Sequence, residues 1–138
     1  MTKYLCIDYG EARVGLAVSD NGLIARPLKT IVNNGWGSVI HQIRDLMKLN
    51  GFLGKDTVIV IGEIWQKFGE RLRQEFGLPV CYQSELLTSK MALEIIHQSG
   101  TRNYSAAQFG RKGILLDTVS ACVILQTYLD AKNKKEGE

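Results

Sequence analysis

Three acidic residues in this sequence stand at the ends of predicted elements, where together they could bind divalent metal ions. Asp8 follows the apolar residues 4–7, and Glu85 follows a short strand-like segment at 79–83. Asp117 lies where the last helical pattern begins. A carboxylate at the end of a buried strand is costly unless it is paired, hydrogen-bonded or bound to a cation. Since Mg²⁺ and Mn²⁺ suit such oxygen ligands, the three acids favour a metal cluster over three coincidences.

Each acid also has a plainer interpretation when it is taken alone. Asp8 could cap a turn, Glu85 could be a solvated loop residue, and Asp117 could be the N-cap of the last helix. Asp117, however, lies at helical spacing from Ala121 and Ile124, on a stripe that is expected to face inward. A carboxylate on such a stripe is unusual.

Basic residues that could accompany the acids occur at two places in the sequence. Arg13 is the cationic side chain close to Asp8 in sequence. Residues 100–113 lack a regular pattern and contain Arg102, Arg111 and Lys112, which suits a loop that follows a phosphate backbone without reading its sequence. An ordinary solvated loop is the alternative for this segment.

The elements that would position these residues begin with an antiparallel meander. Residues 4–8 and 14–19 have strand patterns, and Pro27 restricts a third strand at 24–31 to an edge or bulged position. Helical spacing at 37–49 then predicts an amphipathic helix with Ser38 as its N-cap.

The second half of the chain alternates between strand and helix. The all-apolar run 58–61 is typical of a central strand in a parallel arrangement, covered on both faces. Further elements are predicted as helix 64–76, strand 79–83, a helix that starts near residue 88 or 89 and includes 92–96, and helix 116–129. The fold class is therefore α/β, a mixed sheet with helices packed on it. Reactive groups in such sheets gather at the carboxyl ends of parallel strands, where Asp8 and Glu85 are expected.

Length and composition predict one compact domain over residues 1–130, followed by a charged C-terminal tail at 131–138. The chain has 138 residues, of which 45% are hydrophobic. A net charge of +3 with a pI near 8.8 permits a nucleic-acid partner without demanding one. Cys6, Cys81 and Cys122 lie in apolar runs and are expected to be buried thiols of a reducing compartment. No apolar stretch is long enough to span a membrane, so a cytoplasmic location without a membrane partner is expected.

A family resemblance extends over nearly the whole chain. Its segments are LCIDYGEARVGLAVSD at 5–20, GLIARPL at 22–28, IVIG at 59–62, SELLTS at 84–89 and DTVSA at 117–121. They resemble the YqgF/RuvX family of pre-16S rRNA nucleases and Holliday-junction-resolvase-like proteins. The resemblance implies an RNase H-like fold with a mixed five-stranded sheet, three antiparallel meander strands followed by parallel strands. It also implies a divalent-metal-dependent hydrolase of phosphodiester bonds with Asp8, Glu85 and Asp117 as its acidic site.

The resemblance further implies Mg²⁺ or Mn²⁺ as the cofactor and nucleic acid as the partner. Pre-16S rRNA, processed at its 5′ end during ribosome biogenesis, is the favoured substrate, and structured DNA such as a Holliday junction is the alternative. Arg13, Arg102, Arg111 and Lys112 would contact its backbone. The pattern leaves open whether the protein is a monomer or a homodimer.

The chain departs from the family pattern close to the expected site. Ser84 and Leu86 stand where the family has Asp and Arg, and Glu63-Ile64 replaces the usual Leu-Pro. Loss of an Arg removes a planar phosphate-binding group, so a catalytically weakened RNA-binding protein is a further alternative. An actin-like sugar kinase, which shares the Asp-x-Gly pattern, needs a second lobe for which 138 residues leave no room.

Overall fold

Five strands form one mixed sheet, and helices cover it on both sides. The structure is a computed structural model that describes residues 1–84 and 112–136, with side chains from 117 onward in the second range. The strands are β1 Lys3–Tyr9, β2 Arg13–Ser19, β3 Arg26–Val32, β4 Thr57–Gly62 and β5 Val80–Gln83. The helices in these ranges are α1 Trp36–Asn50, α2 Gln66–Phe76 and α3 Lys112–Glu136, and a 3-10 turn, Glu63–Trp65, precedes α2.

The strand order brings several strand ends to one edge of the sheet. The spatial order is β3-β2-β1-β4-β5. The meander β1–β2–β3 is antiparallel, whereas β1, β4 and β5 run parallel. The predicted mixed five-stranded sheet is thereby confirmed. Because parallel strands point the same way, the carboxyl ends of β1, β4 and β5 lie together, and we call this the carboxyl edge.

The outer strand β3 has an irregular pairing at its proline. Leu16 of β2 pairs with Lys29, but the next residue, Ala17, pairs with Pro27. Leu28 is therefore an extra residue in a bulge. Proline has no N–H to donate to a neighbouring strand and is tolerated at edges and bulges. The predicted edge or bulged position of this strand is confirmed.

The central strand β1 divides the core into two layers. Leu5 and Ile7 are fully buried in a cluster with apolar residues of α1 and α2. Tyr4 and Cys6 point the other way and pack against apolar residues of α3. This alternation follows from the two-residue period of a strand. We call the two sides of the sheet the α1/α2 face and the α3 face.

Helix α1 begins earlier than the sequence pattern predicts. Its N-cap is Gly35, with φ 104°, a conformation that suits glycine. Asn33 Oδ1 accepts a hydrogen bond from the Gly35 N–H at 3.0 Å and fixes the approach to the helix. The prediction of Ser38 as the N-cap is therefore wrong. Its hydroxyl instead accepts a hydrogen bond from Gln42 Nε2 at 3.1 Å, one turn into the helix.

Helix α3 is longer than predicted and is hydrogen-bonded to the turn between β2 and β3. It continues to Glu136, through most of the residues expected to form a charged tail. Gln126 makes two hydrogen bonds to the turn: Oε1 accepts from the Ala25 N–H at 2.9 Å, and Nε2 donates to the Leu23 carbonyl at 2.8 Å. These contacts hold the helix across the first three strands.

The cysteines follow the prediction of buried thiols only in part. Cys6 is buried, Cys81 and Cys122 are half-buried, and no disulfide joins these three residues, all of which the structure describes. Burial raises the pKa of the Cys122 thiol to about 11. Within residues 1–84 and 112–136, none of the helices has the length and apolar character needed to cross a membrane.

Candidate active site

Asp8 lies at the carboxyl edge, near the end of β1, and is half-buried. Its antiparallel partner in β2 is Gly15. Paired residues in an antiparallel ladder project from the same face of the sheet. Since Cys6, two residues earlier, packs against α3, Asp8 also lies on the α3 face.

Gly15 provides the space that lets α3 approach this part of the sheet. A Cβ atom at Gly15 would overlap the backbone carbonyl of Asp117. Backbone atoms cannot move aside as the end of a long side chain can, so the position requires glycine. The contact brings Asp117 beside the register partner of Asp8. The two acids therefore share one face at the carboxyl edge.

An ion pair fixes the side chain of Asp117. Arg13, the first residue of β2, donates from Nε to Asp117 Oδ2 at 2.8 Å. The two side chains are 44% and 25% exposed, so solvent weakens the attraction and the pair is worth at most about 1 kcal/mol. The ion pair matters mainly for orientation, because it holds the Asp117 carboxylate of α3 against the first residue of β2.

The position of Asp117 within α3 decides whether it is the N-cap of the helix or part of its inward-facing stripe. Because α3 begins at Lys112, Asp117 lies inside the helix and is not its N-cap. Ala121 and Ile124, one and two turns further on, are fully buried against the sheet. The inward-facing stripe predicted from the spacing is confirmed, with a carboxylate at its start.

The remaining predicted site residues fall largely outside the described part of the chain. Glu85, Arg102 and Arg111 lie outside it, and Lys112 begins α3 without a described side chain. The described residues thus bring together Asp8, Asp117 and Arg13 of the predicted set. The roles assigned to all of these residues stay predictions.

The described acids fit a divalent cation in their chemistry but do not by themselves complete a site. Within residues 1–84 and 112–136, no group of three His, Cys, Asp or Glu side chains could hold a metal ion. Asp8 and Asp117 supply two carboxylates, the ligand type that Mg²⁺ and Mn²⁺ favour. Glu85, the third predicted ligand, lies outside the described residues.

Asp20 belongs to a different edge of the sheet. It follows β2 in the turn to β3 and pairs with Arg26, whose Nε donates to Asp20 Oδ2 at 2.8 Å. The hydrogen bond from this guanidinium lowers the pKa of Asp20. Because β2 is antiparallel to β1, this pair lies at the end of the sheet opposite Asp8.

An aromatic cluster that was not predicted from the sequence lies on the other side of the carboxyl edge. Tyr9 follows Asp8 directly and faces α1 and α2. Its ring lies 4.7 Å from the ring of Trp65 and 4.7 Å from that of Phe68, centroid to centroid. No local signal marked the cluster, because its members come from three separate segments of the chain.

Comparisons with known proteins agree with this architecture. A family model described as "RuvX: Holliday junction resolvase" matches residues 57–131. A protein of Syntrophus aciditrophicus named "Putative pre-16S rRNA nuclease" is 32% identical, over 97% of this chain and 92% of its own length. A protein of Geobacillus kaustophilus with the same name is 35% identical, over 94% of this chain and 99% of its own length.

A solved structure has the same fold. T. thermophilus RuvC, in complex with a Holliday junction substrate, is similar with a TM-score of 0.59. It is 15% identical in sequence and the similarity covers 97% of both chains. The predicted RNase H-like fold is confirmed. With the family model covering more than half of its length and relatives matching nearly all of it, the chain belongs to the RuvX family of nucleases, hydrolases that act on ester bonds.

Proposed function

We propose that this protein is a divalent-metal-dependent nuclease that processes the 5′ end of pre-16S rRNA. The observation that carries the proposal is the meeting of Asp8 and Asp117 on one face of the carboxyl edge, across Gly15. The two acids come from opposite ends of the chain, and paired carboxylates are the ligand type that Mg²⁺ and Mn²⁺ favour. The names of the relatives support RNA as the substrate.

Each residue of the site has a distinct role in this proposal. Asp8, Glu85 and Asp117 hold the ions, and Arg13 orients Asp117 through its 2.8 Å ion pair. β5 is parallel to β4 and ends at Gln83, so that Glu85 follows the carboxyl edge by two residues. Bound divalent ions would supply Lewis-acid activation of water and stabilisation of the leaving oxygen. No protein nucleophile is needed.

The substrate backbone is held by charge rather than by base recognition. Arg102, Arg111 and Lys112 precede Asp117 in sequence, and Lys112 is the first residue of the helix that carries it. Arg and Lys contacts to phosphates position a strand without reading its sequence. The N-terminal end of α3 adds a partial positive charge.

A cleavage assay tests the proposal. The wild type is incubated with Mg²⁺ or Mn²⁺ and either a single-stranded RNA that carries the 5′ leader of 16S rRNA or a four-way DNA junction. We expect cleavage of the RNA and its loss in Asp8→Asn, which keeps the shape of the side chain but not its charge. The matched control is Asp45→Asn, an exposed acid of α1, which should cleave as the wild type does.

The alternatives give different outcomes in the same assay. Cleavage of the junction but not of the RNA would identify a DNA endonuclease, the activity for which the family model is named. An RNA-binding protein without activity would cleave neither substrate, and Asp8→Asn would bind RNA as well as the wild type or better. Wild-type cleavage by Asp8→Asn would contradict the proposed metal site.

A further inference from the structure

The carboxyl edge carries an aromatic cluster on the face opposite the acids. At its centre, the buried Phe68 packs against the half-buried Tyr9, with ring centroids 4.7 Å apart. Trp65 lies against Tyr9 at 4.7 Å, and Trp36 meets Phe68 edge-on at 5.3 Å. The two tryptophans are thus supported from behind by packed rings.

The two tryptophans line an open pocket. Its volume is about 460 Å³, within the range of small-ligand sites and large enough for a nucleotide. Trp36 is 38% exposed and Ile64, on the rim, is 70% exposed. Large apolar side chains that stay accessible around a concave site are typical of binding surfaces. The pocket therefore has the size and lining to take a flat apolar group.

The electrostatic surroundings of the pocket favour an anion beside that group. Helix α1 begins at Trp36 and α2 begins at Gln66, and both residues line the pocket. In the described structure, neither helix has a side-chain hydrogen bond at its N-cap or an acidic residue in its first turn. Helix N-termini attract phosphate groups, and Lys67 of the lining adds a full positive charge. Glu63 adds a negative charge to the lining, and its carboxylate suits the amino group of a base.

We propose that this pocket binds one unpaired nucleotide of the nucleic-acid strand, with its base stacked on Trp36 and Trp65 and its phosphate towards Lys67. The inference rests on the proposed nuclease function, because Tyr9 under the pocket adjoins Asp8 in β1. A strand that crosses the carboxyl edge passes from the acids to the tryptophans. Because a base held in a double helix cannot enter the pocket, the enzyme selects single-stranded segments.

Binding measured without cleavage tests this proposal. The chain has two tryptophans and both line the pocket, so quenching of intrinsic fluorescence reports on it directly. Wild type is titrated in EDTA with a dye-labelled RNA of about 12 nucleotides, followed by anisotropy and by tryptophan emission. We expect quenching in the wild type and about tenfold weaker binding by Trp36→Leu, as for the loss of one stacked base.

Matched variants separate stacking from general damage. Trp36→Phe keeps an aromatic face and should retain most of the affinity. Leu49→Ala removes an apolar side chain that is 83% exposed at the far end of the same helix and should bind as the wild type does. Should Trp36→Leu lower the melting temperature, Trp65→Leu provides a second measurement of the same loss.

An RNA of the same length without bases completes the test. On this backbone the wild type and Trp36→Leu should bind equally, since there is no base to stack. Wild-type affinity of both tryptophan variants for the normal RNA would overturn the proposal. If Asp8→Asn loses cleavage while the tryptophan variants bind normally, the proposed nuclease function is supported and the proposed nucleotide pocket is rejected. If the wild type binds no nucleic acid, both proposals fall.

Discussion

The two faces of the sheet differ sharply at the carboxyl edge: the α3 face carries acids, and the α1/α2 face carries aromatic rings. The difference begins with two consecutive residues, Asp8 and Tyr9, which project to opposite sides because side chains alternate along a strand. One strand end therefore contributes to an acid pair on one face and to an aromatic cluster on the other. In the proposed binding mode, a strand of nucleic acid that crosses the edge would contact both.

The helices on the two faces also pack in different ways. On the α3 face, Gly15 lies against the backbone of Asp117, so the helix and the sheet touch main chain to main chain. On the other face, a Cβ atom at Gly69 of α2 would lie 2.6 Å from the hydroxyl oxygen of Tyr82. A half-buried tyrosine ring can shift, whereas a helix backbone can move only as a whole. The acidic face is therefore the less adaptable of the two.

The largest effect is expected from adding a methyl group at Gly15, and the same change at Gly69 provides the comparison. Gly15→Ala should lower the free energy of unfolding by about 3 kcal/mol, roughly 10 °C in melting temperature, because α3 must move away from β2. Cleavage should fall as well, since Asp117 moves with the helix. Gly69→Ala should change stability by about 1 kcal/mol or less, because the gain in helix propensity offsets the shift of Tyr82. Thermal and urea unfolding measure both.

A third glycine serves as the control for this pair. A Cβ atom at Gly37, in the first turn of α1, would meet nothing within 4 Å, so Gly37→Ala should be neutral or stabilising. Equal destabilisation by Gly15→Ala and Gly69→Ala would show that the two faces tolerate added volume alike.

The second prediction concerns metal binding at the acidic face. Ions that bind only the folded protein stabilise it by about 2.7 kcal/mol when their concentration is 100 times Kd. Mn²⁺ should raise the melting temperature of the wild type, and much less that of the double variant Glu85→Gln with Asp117→Asn. Glu63→Gln changes an exposed acid that lines the aromatic pocket and should keep the full shift. Equal shifts in the wild type and the double variant would indicate nonspecific binding.

The smallest effect is expected in the salt dependence of binding. Each phosphate contact that is lost on a single strand flattens the slope of log K against log salt by about 0.7, so replacing Arg102, Arg111 and Lys112 with Gln should reduce it by about 2. The metal-induced shift in melting temperature should stay. As a control, Gln at three exposed lysines away from the carboxyl edge should leave the slope unchanged: Lys48, Lys134 and Lys135. The same slope in both triple variants would assign the substrate to another surface.

Local patterns were sufficient to predict most of the sheet. The apolar runs of β1 and β4 are short, and that of β4 consists of β-branched residues, which favours buried strands. Pro27 cannot donate a hydrogen bond, which confines β3 to an edge or bulged position. Asp8 could be singled out as a candidate site residue because its charge interrupts an apolar run. Asp117 could be singled out as a second candidate because it lies on the same helical stripe as Ala121 and Ile124, which are buried in the structure. In each case the signal lies within a few residues.

Features that depend on distant contacts were not predictable from one sequence. The pairing of Arg13 with Asp117 joins residues that are 104 positions apart, and no local pattern selects this partner. The start of α1 depends on a positive φ at Gly35 and on Asn33, which compete with the sequence preference of Ser38. The aromatic cluster likewise joins three segments, and its members are individually typical of a core.

The separation of 104 positions between Arg13 and Asp117 also affects the order in which the contacts of the candidate site form. Contacts between distant segments form late, because a long loop must close before they contribute. During synthesis the strands that carry Asp8 and Arg13 emerge first, and the helix that carries Asp117 emerges near the end. A nascent or truncated chain without α3 therefore has an incomplete acid pair, and under the proposed function it would not cleave RNA until that helix is in place.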